Sequence, residues 1–374
     1  MRLLHTADWH IGRRLHGFDL TDVQEDAFKQ IEQIAIDEKV DGILLAGDLY
    51  DRGMPSENSV SLLNKMIQKL NLEDRLPIYA ISGNHDSAIR LSTGAPWFEA
   101  TKFYMATSIE QAFQPITVGN SQIFLLPYFE PFAAQQYFEN EKITHLDQAV
   151  KAVVEKIKTL FDPAKKHILV AHFFVAGSSV TDSETQLSVG GLAEVPLSVL
   201  SDFDYVALGH LHGRQALQAD NAAYSGSPVK FSLSEADQEK GVYILDTENM
   251  ERTFKALQPL RDVTRLHDSF EKLTNPIYYE KIGRKDYFGI TLTDTKPIPN
   301  VLARLREIYP NIVSLDREKG YQPSINPRSL NVKNQNPMEL LDQFYESIAK
   351  EDLTEQQKKW AENALGKANR EVQK

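Results

Sequence analysis

The chain has no cysteine among its 374 residues, which excludes disulfides, thiolate metal ligands and cysteine nucleophiles together. Histidine, aspartate, glutamate and asparagine remain as side chains able to hold a metal ion. No apolar run approaches the roughly 18 to 20 residues that cross a bilayer. The opening MRLLHTADWH lacks the charged, apolar and small-residue pattern of a secretory leader. Both absences lead to the expectation of a cytoplasmic protein with no membrane contact. Positive charge is also scarce: 41 Lys and Arg stand against 52 Asp and Glu, a formal net charge of -11. A small protein that bound nucleic acid by electrostatics alone would show the opposite balance. If this chain handles nucleic acid, its positive charge must be local, supplied by metal ions or lent by a partner. There is no internal repeat or low-complexity tract to indicate a solenoid.

What is present describes an ordinary folded chain. The hydrophobic share is 42% and the charged share 25%, close to the average for globular proteins, and the length calls for two or three units. Five short β-rich apolar runs stand out: Leu3–Ala7, Gly42–Ala46, Ile78–Ile81, His167–Ala171 and Tyr205–Leu208. Continuous apolar runs read as strands buried on both faces, and helix-like stretches such as Val23–Asp37 and Val60–Leu70 alternate with them. The expected architecture is a layered α/β domain. In the second helix, Leu62, Leu63, Met66, Ile67 and Leu70 recur at helical spacing, a stripe that can pack on its own sheet or on another subunit. Gln122–Leu126 and Gly241–Leu245 are further strands. This first domain is expected to span residues 1–265.

A smaller α+β unit is expected over 275–320, with strand-like Tyr287–Leu292 and Ile312–Leu315 around a helix-like Asn300–Tyr309. Residues 321–336 read as a linker, since Gln322–Pro337 holds three prolines and four asparagines. Residues 337–374 read as a helical hairpin. Leu340, Leu341, Phe344, Tyr345 and Ile348 form a stripe in the first helix, and Thr354 caps a second containing Trp360, Ala361 and Leu365. Two short helices cannot build a core, so the apolar side chains need a cover, either from this chain or from a partner.

Each of the five apolar runs ends in groups able to bind metal: Asp8 with His10, Asp48, Asn84 with His85 and Asp86, His172, and His210 with His212. Ligands gather at strand C-termini in open α/β sheets, and shared coordination accounts for all five endings at once. A lone His or Gly-Asp carries little weight; the ordered set carries much more. His5, His16, His145, His167 and His267 fit no ligand position and read as structural or solvated.

The segments DWH, GDLYDRG, GNHD, AHFF and GHLH, in this order, resemble the signature of the calcineurin-like metallophosphoesterases. HTADWHIG, the Ser183-Glu184 loop running into Leu187–Gly191, and Ser225-Gly226-Ser227-Pro228 are closer still to the SbcD-type nucleases, bacterial relatives of the meiotic-recombination nucleases. This resemblance implies a β-sandwich flanked by helices, with two divalent metal ions, Mn2+ being favoured. It implies Asp8, His10, Asp48 and His212 as ligands of one ion, and Asp48, Asn84, His172 and His210 as ligands of the other. It further implies His85 as a proton donor to the leaving oxygen, with Asp51 matching a carboxylate that orients this histidine in related phosphatases. Arg13, Arg14, Arg52 and Arg214 follow metal motifs and are candidates for DNA phosphates.

The implied activity is exonucleolytic on duplex ends and endonucleolytic on single strands and hairpins, in DNA repair and recombination. The implied partners are DNA, an SbcC-type ATPase held by Leu340, Leu341, Phe344, Tyr345, Ile348 and Trp360, and a second copy of the chain within a heterotetramer. The dimer is expected through Leu62, Met66 and Leu70 with the stretch near Ser92–Thr101. The alternatives are another phosphodiesterase or phosphatase acting on a small-molecule or protein substrate, since one fold hosts many substrates, and a non-catalytic scaffold.

Overall fold

A computed structural model describes residues 1–184, 194–318 and 352–371, together with 338, 341, 342, 345 and 346. The strands in chain order are β1 (Arg2–Thr6), β2 (Arg14–Leu15), β3 (Phe18–Asp19), β4 (Gly42–Ala46), β5 (Ile78–Ile81), β6 (Phe103–Ala106), β7 (Ile116–Val118) and β8 (Ser121–Leu126). Then come β9 (Lys166–His172), β10 (Tyr205–Gly209), β11 (Ala222–Tyr224), β12 (Gly241–Asp246), β13 (Glu251–Ala256), β14 (Val263–Asp268), β15 (Tyr287–Leu292) and β16 (Ile312–Arg317). Two sheets dominate, in the orders β13-β12-β1-β4-β5-β6 and β11-β10-β9-β8-β7. Pairing is parallel from β1 through β6 and from β8 through β11.

The side-chain period of two explains why the predicted strands are apolar at most positions on both faces. In β4, Leu44 and Ala46 face the second sheet while Ile43 and Leu45 face the helices Thr21–Asp37 and Glu57–Gln68. In β9, Ile168 and Val170 face the first sheet while Leu169 and Ala171 face the helices Pro131–Phe138 and Leu146–Lys158. The result is four layers, helices outside and two sheets within. Each Leu or Ile so buried contributes about 1.5–3 kcal/mol relative to exposure. His5 lies in the interior, its two ring nitrogens paired with the Tyr205 hydroxyl at 2.9 Å and the Leu208 carbonyl at 3.2 Å, a structural role.

The stripe on helix Glu57–Gln68 packs inward. Leu62, Leu63, Met66 and Leu70 all belong to the buried core on the outer face of the first sheet. The expectation that Leu62, Met66 and Leu70 form a subunit contact is therefore corrected, because their apolar surface is already covered by their own sheet. Exposed apolar groups on or near that helix include Met54, Val60, Leu72, Ile89 and Trp97.

The small unit is a three-stranded parallel sheet, β14-β15-β16, with its own core of Leu266, Phe270, Phe288, Ile290, Leu305 and Tyr309 among others. Its first strand, β14, lies ahead of the expected start at 275. Only Val263 and Leu266 of that strand are buried, too sparse a pattern to stand out. The loop Leu187–Gly191, the expected linker 321–336 and Leu340, Phe344 and Ile348 fall outside the described residues. A helix at Glu355–Glu371 begins with Thr354 and Gln357 capping one another: the Gln357 amide oxygen accepts from Thr354 N at 2.9 Å, and Thr354 Oγ1 accepts from Gln357 N at 3.4 Å. No helix among the described residues is long and apolar enough to cross a membrane.

Candidate metal centre

The C-terminal ends of β1, β4, β5, β9 and β10 meet at one edge of the sandwich, where backbone and side chains interlock. Asp8 N donates to Gly47 O at 3.0 Å, His210 N to the Asp8 carboxylate at 2.9 Å, and His10 N to Asp48 O at 2.9 Å. The contacts are so close that glycine is required. A Cβ at Gly83 would lie 2.2 Å from Asp48 Oδ1, and one at Gly209 would lie 1.9 Å from the Ala46 carbonyl. Asp8, His10, Asp48 and His210 all hold left-handed backbone conformations, with φ between 43 and 103°. Such strain at non-glycine residues costs about 1–3 kcal/mol each and persists where surroundings enforce it, characteristically at functional sites.

The seven residues expected as ligands are brought together. The Nε2 atoms of His10 and His212 face each other at 3.1 Å. Asp48 Oδ2 lies 3.5 Å from His10 Nε2 and 3.4 Å from His172 Nε2. Asn84 Oδ1 stands 3.0 Å from both His172 Nε2 and His210 Nδ1. Asp8, His10 and His212 offer donor atoms within 4.8 Å of one another, as do Asp8, Asp48 and His172.

The electrostatics fit a cation. Burial raises Asp8 well above the ordinary carboxylate range, partly offset by His172 and increased again by Asp48. Burial also penalises a charged Asp48, but His172 and His10 outweigh it and hold the carboxyl far below its usual value. Burial lowers His172, yet the Asp48 and Asp8 carboxylates win and push it up to about 9. His210 is pulled down to about 3, first by burial and then by His172. His10 is depressed well below its usual value, chiefly by burial, and its Nδ1 is a buried nitrogen with no hydrogen-bond partner. Ring nitrogens of His10, His172, His210 and His212, the Asn84 amide oxygen and two buried carboxylates form a donor set that divalent cations satisfy; mixed N and O donors without sulfur suit Mn2+, Fe2+ or Zn2+.

His85 sits on the rim. Its backbone N donates to Asp48 Oδ1 at 2.8 Å, its Nδ1 lies 2.8 Å from the Asp51 backbone carbonyl, and its ring meets that of His10 at 4.7 Å. Asp51 meets His85 through its main-chain carbonyl, while its carboxylate pairs with Arg13 and Arg52 at 3.7 and 3.5 Å and keeps an oxygen within 4.8 Å of ring nitrogens of His85 and His10. Asp86 is not directed at the cluster either. Its carboxylate accepts the backbone N–H groups of Leu49, Tyr50 and Gly83 at 3.0 to 3.1 Å, tying the loops after β4 and β5 together.

The four arginines divide in two. Arg13, only 16% exposed, donates to the Ser183 carbonyl at 2.5 Å and lies 5.1 Å over the Phe231 ring. Arg214 pairs with Glu239 at 2.8 Å and stacks 4.1 Å over Phe254. Both are committed to internal contacts. Arg14 and Arg52 are 63% and 71% exposed and lie 3.8 and 3.5 Å from Asp19 and Asp51. Sequence reasoning missed Glu235 and Lys240, buried residues behind His212; nothing in their immediate sequence marks them.

Residues 1–214 match the calcineurin-like phosphoesterase family, which is the class that this sandwich and its strand-end cluster define. Residues 257–348 match a family described as the type 5 capsule protein repressor C-terminal domain. The SbcD subunit of the SbcCD nuclease of Staphylococcus epidermidis is 34% identical over 360 residues, 96% of each chain. The chain belongs to the SbcD nuclease-subunit family of calcineurin-like phosphoesterases. Among solved structures it is similar to TT1561 of Thermus thermophilus, with TM-score 0.41 and 13% identity over 69% of this chain and 99% of that one. It is also similar to a dimetal phosphatase from Danio rerio, with TM-score 0.40 and 11% identity over 68% of this chain and 95% of that one.

Proposed function

We propose that the chain hydrolyses DNA phosphodiester bonds as the nuclease subunit of a repair and recombination complex with an SbcC-type ATPase, in the cytoplasm. The observation that carries this reading is the convergence of seven N and O donors at the strand ends, two of them buried carboxylates with no lysine or arginine among them. Asp8, His10, Asp48 and His212 are assigned to one Mn2+ ion, and Asp48, Asn84, His172 and His210 to a second. Bound there, the ions would polarise the phosphate and lower the pKa of an attacking water.

The protein's own groups do the rest. Asp48 has two carboxylate oxygens and can serve both sites. His85, fixed through Nδ1 by the Asp51 carbonyl, moves a proton at its other ring nitrogen to the departing deoxyribose oxygen, a poor leaving group when unprotonated. Arg14 and Arg52 pair with phosphates along the strand. A site that recognises phosphate carries no base information, so cleavage is independent of sequence. The assay that tests this offers linear duplex, hairpin and single-stranded DNA, a cyclic nucleotide and a phosphopeptide to the protein with and without Mn2+. Mn2+-dependent cleavage of DNA far exceeding turnover of the others is expected; turnover confined to the small or peptide substrates would overturn the assignment.

The C-terminal helix supports the partner reading. Trp360 is 65% exposed and Leu341 37% exposed, and Gln357 reaches Tyr345 OH at 3.1 Å, so the two parts of the segment are in contact. Removing residues 334–374 is expected to abolish co-purification with the ATPase while retaining Mn2+-dependent nuclease activity. Unchanged association of the truncated chain would refute that role. The same preparations, weighed by light scattering, test the homodimer, now assigned to the exposed Leu72, Ile89 and Trp97 instead of the inward stripe.

A further inference from the structure

Behind His212 lies a buried chain of hydrogen bonds whose proton positions can be counted. Ser183 Oγ donates to Glu235 Oε1 at 2.5 Å and stands 2.7 Å from His212 Nδ1. A hydroxyl has one proton. With that proton on Glu235, an ionised acceptor, the serine oxygen must accept from His212, so Nδ1 carries the hydrogen and Nε2 presents its lone pair to the cluster. Glu235 is held ionised and fully buried by Lys240, whose Nζ donates to Glu235 Oε2 at 2.5 Å and to the His212 backbone carbonyl at 2.8 Å. Glu184 accepts from His212 N at 2.6 Å. The ring nitrogen, the amide and the carbonyl of His212 are thus all hydrogen-bonded, by Ser183, Glu184 and Lys240 in turn.

Glu235 itself ends a short turn, Leu233–Glu235, that touches the small unit at β14. The Leu233 side chain fills the space over Gly289 of β15, where a Cβ would lie 2.7 Å from Leu233 Cδ1. Two residues past Glu235, Asp237 pairs with Arg265 of β14. We propose that this turn is a strut through which the small sheet positions His212, with Glu235 as the positioning residue. The small unit then sets how well the first metal site is formed, and its displacement would be felt there. The proposal rests on the assignment of His212 as a metal ligand.

The test titrates Mn2+ calorimetrically into chelator-stripped full-length protein, alongside thermal unfolding. His212→Ala is the control for the ligand assignment and is expected to lose one of the two sites; retention of both would overturn that assignment and the strut with it. Glu235→Gln and Ser183→Ala are expected to weaken one site by about 10- to 100-fold, the range for groups that orient a metal-binding histidine, and to leave the other unchanged. Ser183→Ala keeps the Glu235–Lys240 ion pair, so it reports even where Glu235→Gln folds poorly. Leu233→Ala is expected to weaken the same site and Leu233→Met to restore it. A purely structural turn would lower the melting temperature of Leu233→Ala and leave Mn2+ affinity at the wild-type value, and that result would overturn the proposal.

Discussion

Asp48→Ala is expected to lose both metal ions and to reduce DNA cleavage by about 10³-fold or more. The magnitude follows from the several kcal/mol of transition-state charge stabilisation that bound cations supply, at about 1.4 kcal/mol per decade of rate. Asp48 is central to the cluster: its Oδ2 lies within 3.5 Å of nitrogens from β9 and from the loop after β1, and its Oδ1 accepts from His85 N. Removing it deprives both sites of a carboxylate and His172 Nε2 of the oxygen that stands 3.4 Å from it. Elemental analysis after gel filtration is expected to give less than one ion per chain in place of two. Two retained ions with lost cleavage would show that Asp48 acts on the substrate and does not hold metal. Asp8→Ala is the informative comparison, because Asp8 is assigned to one site only and is expected to leave the second ion in place.

Much of the core was legible because the physics is local. Strands sheltered on both faces are apolar at most positions, so β1, β4, β5, β9 and β10 stood out in the sequence, and the polar residues that end them marked one edge of the sandwich. What the sequence could not disclose depends on contacts distant along the chain. Arg13 and Arg214 look like free cations until Ser183, Phe231, Glu239 and Phe254 are folded against them. A stripe such as Leu62, Met66 and Leu70 has no label saying which surface it meets. Asp51 matched a carboxylate position, and the fold adds a contact that no side-chain motif records, its main-chain carbonyl 2.8 Å from His85 Nδ1. Ser183 and Ser225–Pro228 carried the resemblance without a visible task; only the buried Glu235–Lys240 pair gives Ser183 its place behind His212.

His85→Asn is expected to lower cleavage by about 10²- to 10⁴-fold, the usual contribution of a positioned proton donor, while both metal ions stay bound. The separation arises from geometry. His85 is joined to the cluster through its backbone N on Asp48 and through ring contact with His10, and its Nδ1 is taken by the Asp51 carbonyl. Asparagine keeps the backbone donor, so Asp48 remains in place, but it has no group that gives up a proton at neutral pH. The loss should be largest for an unactivated DNA linkage and much smaller for an ester with a nitrophenolate leaving group, which departs without protonation. Asp51→Asn separates the two orienting possibilities. If the carbonyl does the orienting, this variant keeps nuclease activity within a few-fold of the wild type, whereas a carboxylate-oriented histidine would make it nearly as impaired as His85→Asn. Metal content near two ions per chain in His85→Asn, together with a rate on the nitrophenyl ester close to wild type, supports proton donation. Loss of an ion, or equal impairment on both esters, would instead make His85 part of the metal-holding frame.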